Sequence, residues 1–378
     1  MKELGIYVHI PYCLSKCNYC NFNSYVGCES SQPDYLKALI QEIQNSKQKL
    51  SEYNVTSIYI GGGTPSSFLS GGIVSIIQTI KTNYNVDKNC EISIEANPNT
   101  ITFDKVLEWK NAGINRVSVG LQSDNRRILR LLNRTHTKRD FLAAIDLLKQ
   151  NGFYNINADI MIGLPTQKLS DVKRTLNTLI KCNIPHISAY CLIVEDGTPI
   201  KKMLDDGTIK QPKEIKVLKM YDYVNDFLKQ NGICRYEVSN FAKPRFECRH
   251  NLNCWKMVEY IGFGAGAHSF LGTTRFYNYS GIDEYIKAIK DTGSAIELSE
   301  PQTNNDLFEE YVMLKLRTTS GISFDYIKKN YNIDLKLLKA NKISQFEKLG
   351  LISVNGDTLK LTDNGFNVLN KIILELVY

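Results

Sequence analysis

Cys13, Cys17 and Cys20 stand in the run Tyr-Cys-Leu-Ser-Lys-Cys-Asn-Tyr-Cys, a C-x3-C-x2-C spacing just past the first alternating apolar segment. Thiolates are soft ligands, and three so closely spaced can converge on one metal centre. A closed structural zinc site takes about four ligands, and no fourth Cys or His stands close by. His9 shares the polar parity of the preceding strand and reads as an interior or packing residue rather than a ligand. A [4Fe–4S] cluster held by only three cysteines keeps one iron open, where a chelating amino acid can bind and receive an electron. A second run, Cys248-Arg249-His250-Asn251-Leu252-Asn253-Cys254-Trp255, gathers a histidine, two cysteines and an indole. His250 there reads either as a ligand or as a structural histidine in a polar loop. Zinc on Cys248, His250 and Cys254 is the weaker reading, for want of a fourth ligand.

The elements that must position these residues follow from periodicity. Strands are expected at 4–11, 55–63, 91–98, 116–123, 155–165 and 186–194, with amphipathic helices around 34–50, 70–84, 103–111, 139–150 and 169–182. Such alternation means βαβ units and a parallel sheet. Six units fall short of the eight that close a full barrel. One parity of each strand is apolar (Ile6, Val8, Ile10; Ile58, Ile60; Val117, Val119, Leu121) and can back onto helices. The other is polar (Tyr7, His9; Ser57, Tyr59; Ser93, Glu95; Ser118, Gln122; Asn157, Asp159; Ser188, Tyr190). An interior lined this way suits a ligand better than aliphatic packing, so the expected fold is α/β, a partial (βα)6 TIM-like barrel over 1–200.

Residues 201–302 read as a less regular, barrel-completing region with a long helix near 213–230. From 303 to 378, helices followed by a hairpin across Asn355-Gly356-Asp357 read as a small winged-helix-like α+β domain. Its ten Lys and Arg against nine Asp and Glu leave no excess charge for DNA, so a structural or docking module is expected and no nucleic-acid partner. The segment Gly262-Phe263-Gly264-Ala265-Gly266-Ala267 fits a dinucleotide fingerprint, but that motif needs a following helix, and His268–Thr274 starts one poorly.

Composition sets the outer bounds. The 378 residues are 43% hydrophobic and 22% charged with net charge +7 and no basic block, which excludes a disordered or fibrous chain. No apolar run is long enough to span a membrane, and MKELGIYVHIPYC lacks the core of a secretory signal. Ten cysteines are too few for a disulfide scaffold and point to a reducing cytoplasm. Cys28, Cys90, Cys182, Cys191 and Cys234 show no ligand spacing and read as small hydrophobes.

The cysteine run at a strand end resembles the signature of the radical S-adenosylmethionine (SAM) family. The resemblance covers nearly the whole chain and points to the branch of the coproporphyrinogen III dehydrogenases and, within it, to heme chaperones. It implies that the open iron chelates the methionyl amino and carboxylate groups of SAM. An electron from the cluster then cleaves the sulfonium to a 5′-deoxyadenosyl radical. Carried over residue by residue, Gly62, Gly63 and Thr64 of Gly61-Gly62-Gly63-Thr64-Pro65 would meet the SAM amino group, and Glu95 its ribose or methionyl part. Gln122, Arg134 and Asp159 match further nucleoside contacts, with Tyr7 and Tyr19 near the adenosine and cluster. The turn at 262–267 would lie near SAM or a bound tetrapyrrole.

Two departures separate the branches. The dehydrogenases carry a fourth cysteine where this chain has Phe22, and a long segment ahead of the motif where this chain has twelve residues. Heme chaperones resemble H-N-x-x-Y-W at the second run, which implies His250 and Trp255 on heme, with Cys254 in place of the usual tyrosine. The implied function is a heme chaperone serving a recipient respiratory protein, with a low-potential electron donor. It has no transmembrane segment and at most peripheral membrane contact. The rival is the oxygen-independent dehydrogenase, in which the radical abstracts a propionate hydrogen before decarboxylation.

Overall fold

Successive side chains on an extended backbone point to opposite faces, and in the computed structural model, which describes residues 1–378, the apolar parity packs on helices along six parallel strands. They are β1 (Lys2–Ile10), β2 (Tyr53–Gly62), β3 (Val86–Ala96), β4 (Arg116–Gln122), β5 (Ile156–Ile162) and β6 (His186–Cys191), paired in chain order. Helices Gln32–Asn45, Gly72–Asn83, Phe103–Ala112, Lys138–Gln150 and Leu169–Lys181 alternate with them. Ile6, Val8, Ile58, Ile60, Ile94 and Val119 are buried in one core with Leu39, Ile76, Val106 and Trp109 from those helices. Helix ends follow local chemistry: Thr137 and Asp140 form a capping box, and Gly113 closes its helix at φ +88°.

The inward parity forms stacked levels. Tyr7, Tyr59, Ser93 and Arg116 stand at one height across β1 to β4. Glu95, Ser118, Asn157 and His186 stand one level nearer the C-terminal ends of β3 to β6.

Residues 201–302 hold more order than their irregular pattern suggests. The strands β7 (Cys234–Arg235) and β8 (Asn240–Ala242) extend the sheet beyond β6, and β9 (Tyr260–Phe263) pairs parallel to β1. Then β10 (His268–Leu271), β11 (Thr274–Asn278) and β12 (Ile296–Pro301) continue outward antiparallel. The free edges are β12 and β7, so the twelve-stranded sheet is an open, partial barrel. These strands escape a periodicity reading because they are short and rich in Gly and aromatics. The glycine-rich turn leads into β10, not a helix, and a Cβ on Gly264 would lie 2.5 Å from the Tyr35 hydroxyl and 2.7 Å from the His9 carbonyl. That turn is held by the Glu42 carboxylate, which accepts from Gly264 N (2.9 Å), Asn278 Nδ2 (2.6 Å) and Tyr285 O–H (2.7 Å).

The C-terminal residues build a core of their own from Phe308, Val312, Leu316, Ile327, Leu359 and Ile372. Helices Asn304–Lys315, Phe324–Tyr331, Leu335–Leu338 and Ala340–Lys348 precede a hairpin of β14 (Ile352–Asn355) and β15 (Thr358–Leu361), to which β13 (Ile322–Ser323) adds an edge. The domain joins the barrel through Val238 N donating to Arg317 O at 2.8 Å and through the Arg235 guanidinium, 4.8 Å over the Phe366 ring. No helix is long and apolar enough to cross a membrane.

Burial pushes the Glu42 carboxyl up from 4.5 to about 7 against the pull of its three hydrogen-bond donors. A raised folded-state value means the native protein binds the proton more tightly, so stability falls as pH rises from 4.5 through about 7. Glu42→Gln should flatten part of that slope, by up to roughly 3 kcal/mol over the interval. Urea unfolding at a series of pH values reads this directly, and an unchanged slope would mean that Glu42 is ionised in the native state.

Candidate functional site

At the C-terminal ends of the parallel strands lies a cavity of about 410 Å³. The loop after β1 brings Cys13, Cys17, Cys20 and Tyr19 to one side of it. Lys16 shapes this loop: its ammonium donates to the Phe22 carbonyl (2.8 Å), the Ser24 carbonyl (3.0 Å) and Ser24 Oγ (2.7 Å). Two segments missed by periodicity anchor it from outside. Helix Arg126–Leu131 offers the Leu131 carbonyl to Asn18 Nδ2 at 2.7 Å, and Asn133 Nδ2 donates to the Lys16 carbonyl at 2.8 Å. Helix Pro199–Asp205 adds Ile200 N on the Asn18 carbonyl at 2.9 Å. Both are too short for a helical period to show.

Cys13 Sγ lies 3.5 Å from Thr64 Oγ1, and Arg134 Nη1 donates to Cys17 Sγ at 3.6 Å. Burial raises the Cys20 thiol, with the Phe22 N–H and the Lys16 charge pulling it back. No three Cys, His, Asp or Glu groups are close enough to hold a single metal ion. The three thiols share one side of the cavity, a soft donor set of the kind that holds an iron–sulfur cluster.

The second wall comes from the ends of β2 and β3. Gly62 and Gly63 are required by close approach: a Cβ on Gly62 (φ +115°) would lie 2.6 Å from the His9 ring, and one on Gly63 2.6 Å from the Tyr12 carbonyl. Glu95 accepts from Tyr59 O–H (2.8 Å) and Gly62 N (3.2 Å). Burial, with the Asp159 charge adding, lifts its carboxyl to about 7 against those donors.

The third wall comes from β4 and β5. Gln122 ends β4 at φ +61°, a left-handed position uncommon for a side chain and often found at functional sites. Arg134 Nη2 donates to Asn97 Oδ1 (2.6 Å) and the Gly120 carbonyl (2.7 Å), while its Nε is buried without a partner. Asp159 accepts from Ser118 Oγ (3.1 Å) and Asn157 Nδ2 (2.7 Å), and burial raises its carboxyl. Asn157 is fixed in turn by His186 Nδ1 (2.6 Å), whose Nε2 meets the Tyr236 hydroxyl at 2.8 Å.

Cys13, Cys17, Cys20, Tyr19, Gly62, Gly63, Thr64, Glu95, Gln122, Arg134 and Asp159 therefore share one cavity. Tyr7 does not line it. Its hydroxyl is 2.9 Å from His9 Nδ1, and its ring stacks on Tyr59 at 6.4 Å. His9 Nε2 is 2.7 Å from the Asn23 carbonyl, so Nε2 carries the proton and Nδ1 accepts from Tyr7. Cavity-lining Asn97, Arg116 and Asn251 were missed. Arg116 shares the parity of Ser118, and that signal alone could have found it.

The resemblance puts His250 and Trp255 on heme, and in the fold His250 is buried rather than open to a ligand. Helix Arg249–Trp255 closes the N-terminal end of the barrel, where His250 is 6% exposed. His250 Nδ1 is 3.1 Å from Ser57 Oγ, and its ring stacks on Tyr59 at 5.3 Å. Burial lowers its imidazole to about 4, so it is neutral near pH 7. Glu91 holds the helix start, accepting from Arg249 N (3.0 Å) and His250 N (3.2 Å). His250 and Asn253 are the buried residues of this helix, and Trp255 is half-buried.

Comparison with known proteins agrees with this architecture. Residues 7–179 match the Radical SAM superfamily and residues 302–368 the HemN C-terminal domain. The chain is 33% identical over 360 residues to the heme chaperone HemW of Bacillus subtilis (strain 168), covering 95% of each. It is 31% identical over 378 residues to the heme chaperone HemW of Lactococcus lactis, covering 99% of this chain and 98% of that one. The solved structure of coproporphyrinogen III oxidase (HemN) from Escherichia coli, a radical SAM enzyme, covers 99% of this chain and 90% of its own at TM-score 0.87 and 23% identity, and so shares the fold. With relatives matched above 30% identity over almost their full length, the chain belongs to the HemW family within the radical SAM superfamily.

Proposed function

We propose that the chain is a heme chaperone that holds a [4Fe–4S] cluster on Cys13, Cys17 and Cys20, binds SAM beside it, and delivers heme to a recipient respiratory protein. The observation that carries the reading is end-to-end kinship with proteins named heme chaperone. The cavity suits the two small cofactors: soft thiols line one side, Gly62 and Gly63 open backbone to a ligand, and Arg134 Nε has an unspent donor. When bound, the cluster supplies one electron to SAM. Around it, Thr64 and the Gly62–Gly63 backbone orient the amino group, and Glu95 and Asp159 accept from ribose hydroxyls. Gln122 and Arg134 take the nucleoside, and Tyr19 shields the cluster edge. Tyr7 acts from beneath through Tyr59 and His9. A reducing cytoplasm with a low-potential electron donor fits ten cysteines that form no disulfide.

Heme is assigned to His250 and Trp255 with helix Arg249–Trp255 released from the barrel end, because a closed helix keeps the imidazole against Ser57 and Tyr59. Ligation then competes with the grip of Glu91 on the helix start.

Cys17→Ser should lose the cluster, read as iron and sulfide content after anaerobic reconstitution; full retention would remove the cysteine run from the cluster. A cluster-replete sample given SAM, reductant and coproporphyrinogen III should yield no protoporphyrinogen, since Phe22, 64% exposed at the cavity, supplies no further ligand. Turnover would make the chain a dehydrogenase. Loosening the helix with Glu91→Gln costs about 1 kcal/mol of capping and should raise heme affinity about fivefold in a Soret titration. His250→Ala should cancel that gain, and a Soret titration indifferent to both changes would place heme elsewhere.

A further inference from the structure

One charged side chain of the barrel interior is not used by the scheme above. Arg116 opens β4 on the inward parity, level with Tyr7 and Tyr59 and one level beneath Glu95. It is 2% exposed and yet lines the cavity. Its Nε is buried without a hydrogen-bond partner, and the charges of Glu91, Glu95 and Asp159 reach it without closing an ion pair. A guanidinium has five N–H donors in a fixed fork matched to a carboxylate.

The acids around it are engaged elsewhere. Glu91 caps helix Arg249–Trp255, Glu95 holds Tyr59 and Gly62 N, and Asp159 holds Ser118 and Asn157. A buried cation without an ion pair is costly, and a buried charge is ordinarily paired. The remaining partner is a ligand in the cavity.

We propose that Arg116 is an anion subsite at the inner end of the cavity that receives a carboxylate of the bound ligand through a forked pair of N–H donors. Of the ligands of the proposed function, SAM spends its methionyl carboxylate on the open iron of the cluster, which leaves heme, through its propionates. The inference rests on that reading for the identity of its ligand.

The test uses the full chain and one ligand pair, heme against heme dimethyl ester. The wild type should prefer heme by about tenfold or more, the worth of a charge-assisted hydrogen-bond pair. Arg116→Met should erase that preference, and Arg116→Lys should keep part of it. Equal affinities for the two, or a preference that survives Arg116→Met, overturn the subsite while leaving the proposed function standing. Should heme not bind the wild type at all, that function fails. Crystals of the wild type soaked in bromide decide the subsite by themselves, even if Arg116→Met does not fold. Bromide within reach of the guanidinium supports it, and a guanidinium ion-paired to Glu91 or Asp159 overturns it.

Discussion

A parallel sheet with a polar inner face stands only if most of its inward groups find partners, and that requirement organises this protein. Unpaired polar groups removed from water cost roughly 1–3 kcal/mol each. Here Tyr59 binds Glu95, Ser118 and Asn157 bind Asp159, and His186 with Tyr236 steadies Asn157. The bonds of Tyr59, Ser118 and His186 join neighbouring strands, and that of Asn157 to Asp159 runs along β5. The contacts that satisfy the fold are therefore the ones that aim the carboxylates at the cavity. Fold and site share one network, and the ligand-facing acids arrive pre-oriented.

The cysteine loop shows the same economy. Its chemistry needs three thiols on one side of the cavity, but its shape comes from Lys16 bridging the Phe22 and Ser24 carbonyls and from Asn18 and Asn133 pinning it to two short helices. The glycines opposite serve two ends at once. Gly62 and Gly63 clear space for His9 and Tyr12 where the strand ends crowd, and that bareness leaves their backbone open to a ligand.

The other end of the barrel is closed by helix Arg249–Trp255, whose start rests on Glu91. A histidine placed there is neutral and covered, and its availability depends on that helix. The cysteine-lined cavity and the histidine thus share one interior, with Arg116 and Tyr59 between them.

Much of this was legible in the residues. The inward set running from Tyr7 to Asp159 is set apart by parity, because adjacent side chains of a strand must point to opposite faces. The cysteine spacing pointed to a soft-metal site before any geometry, since ligand spacing is local in sequence. The six strands and their helices fell close to where period and breakers put them. Strands β7 to β12 and the helices at 126–131 and 199–205 did not, because elements this short owe their existence to partners far along the chain. The same holds for His250, which no spacing rule could bury, and for Arg116, which no pattern could leave unpaired. Side-chain type and periodicity are properties of neighbours in sequence. Burial and the sharing of hydrogen bonds are properties of neighbours in space, and only the folded chain brings those together.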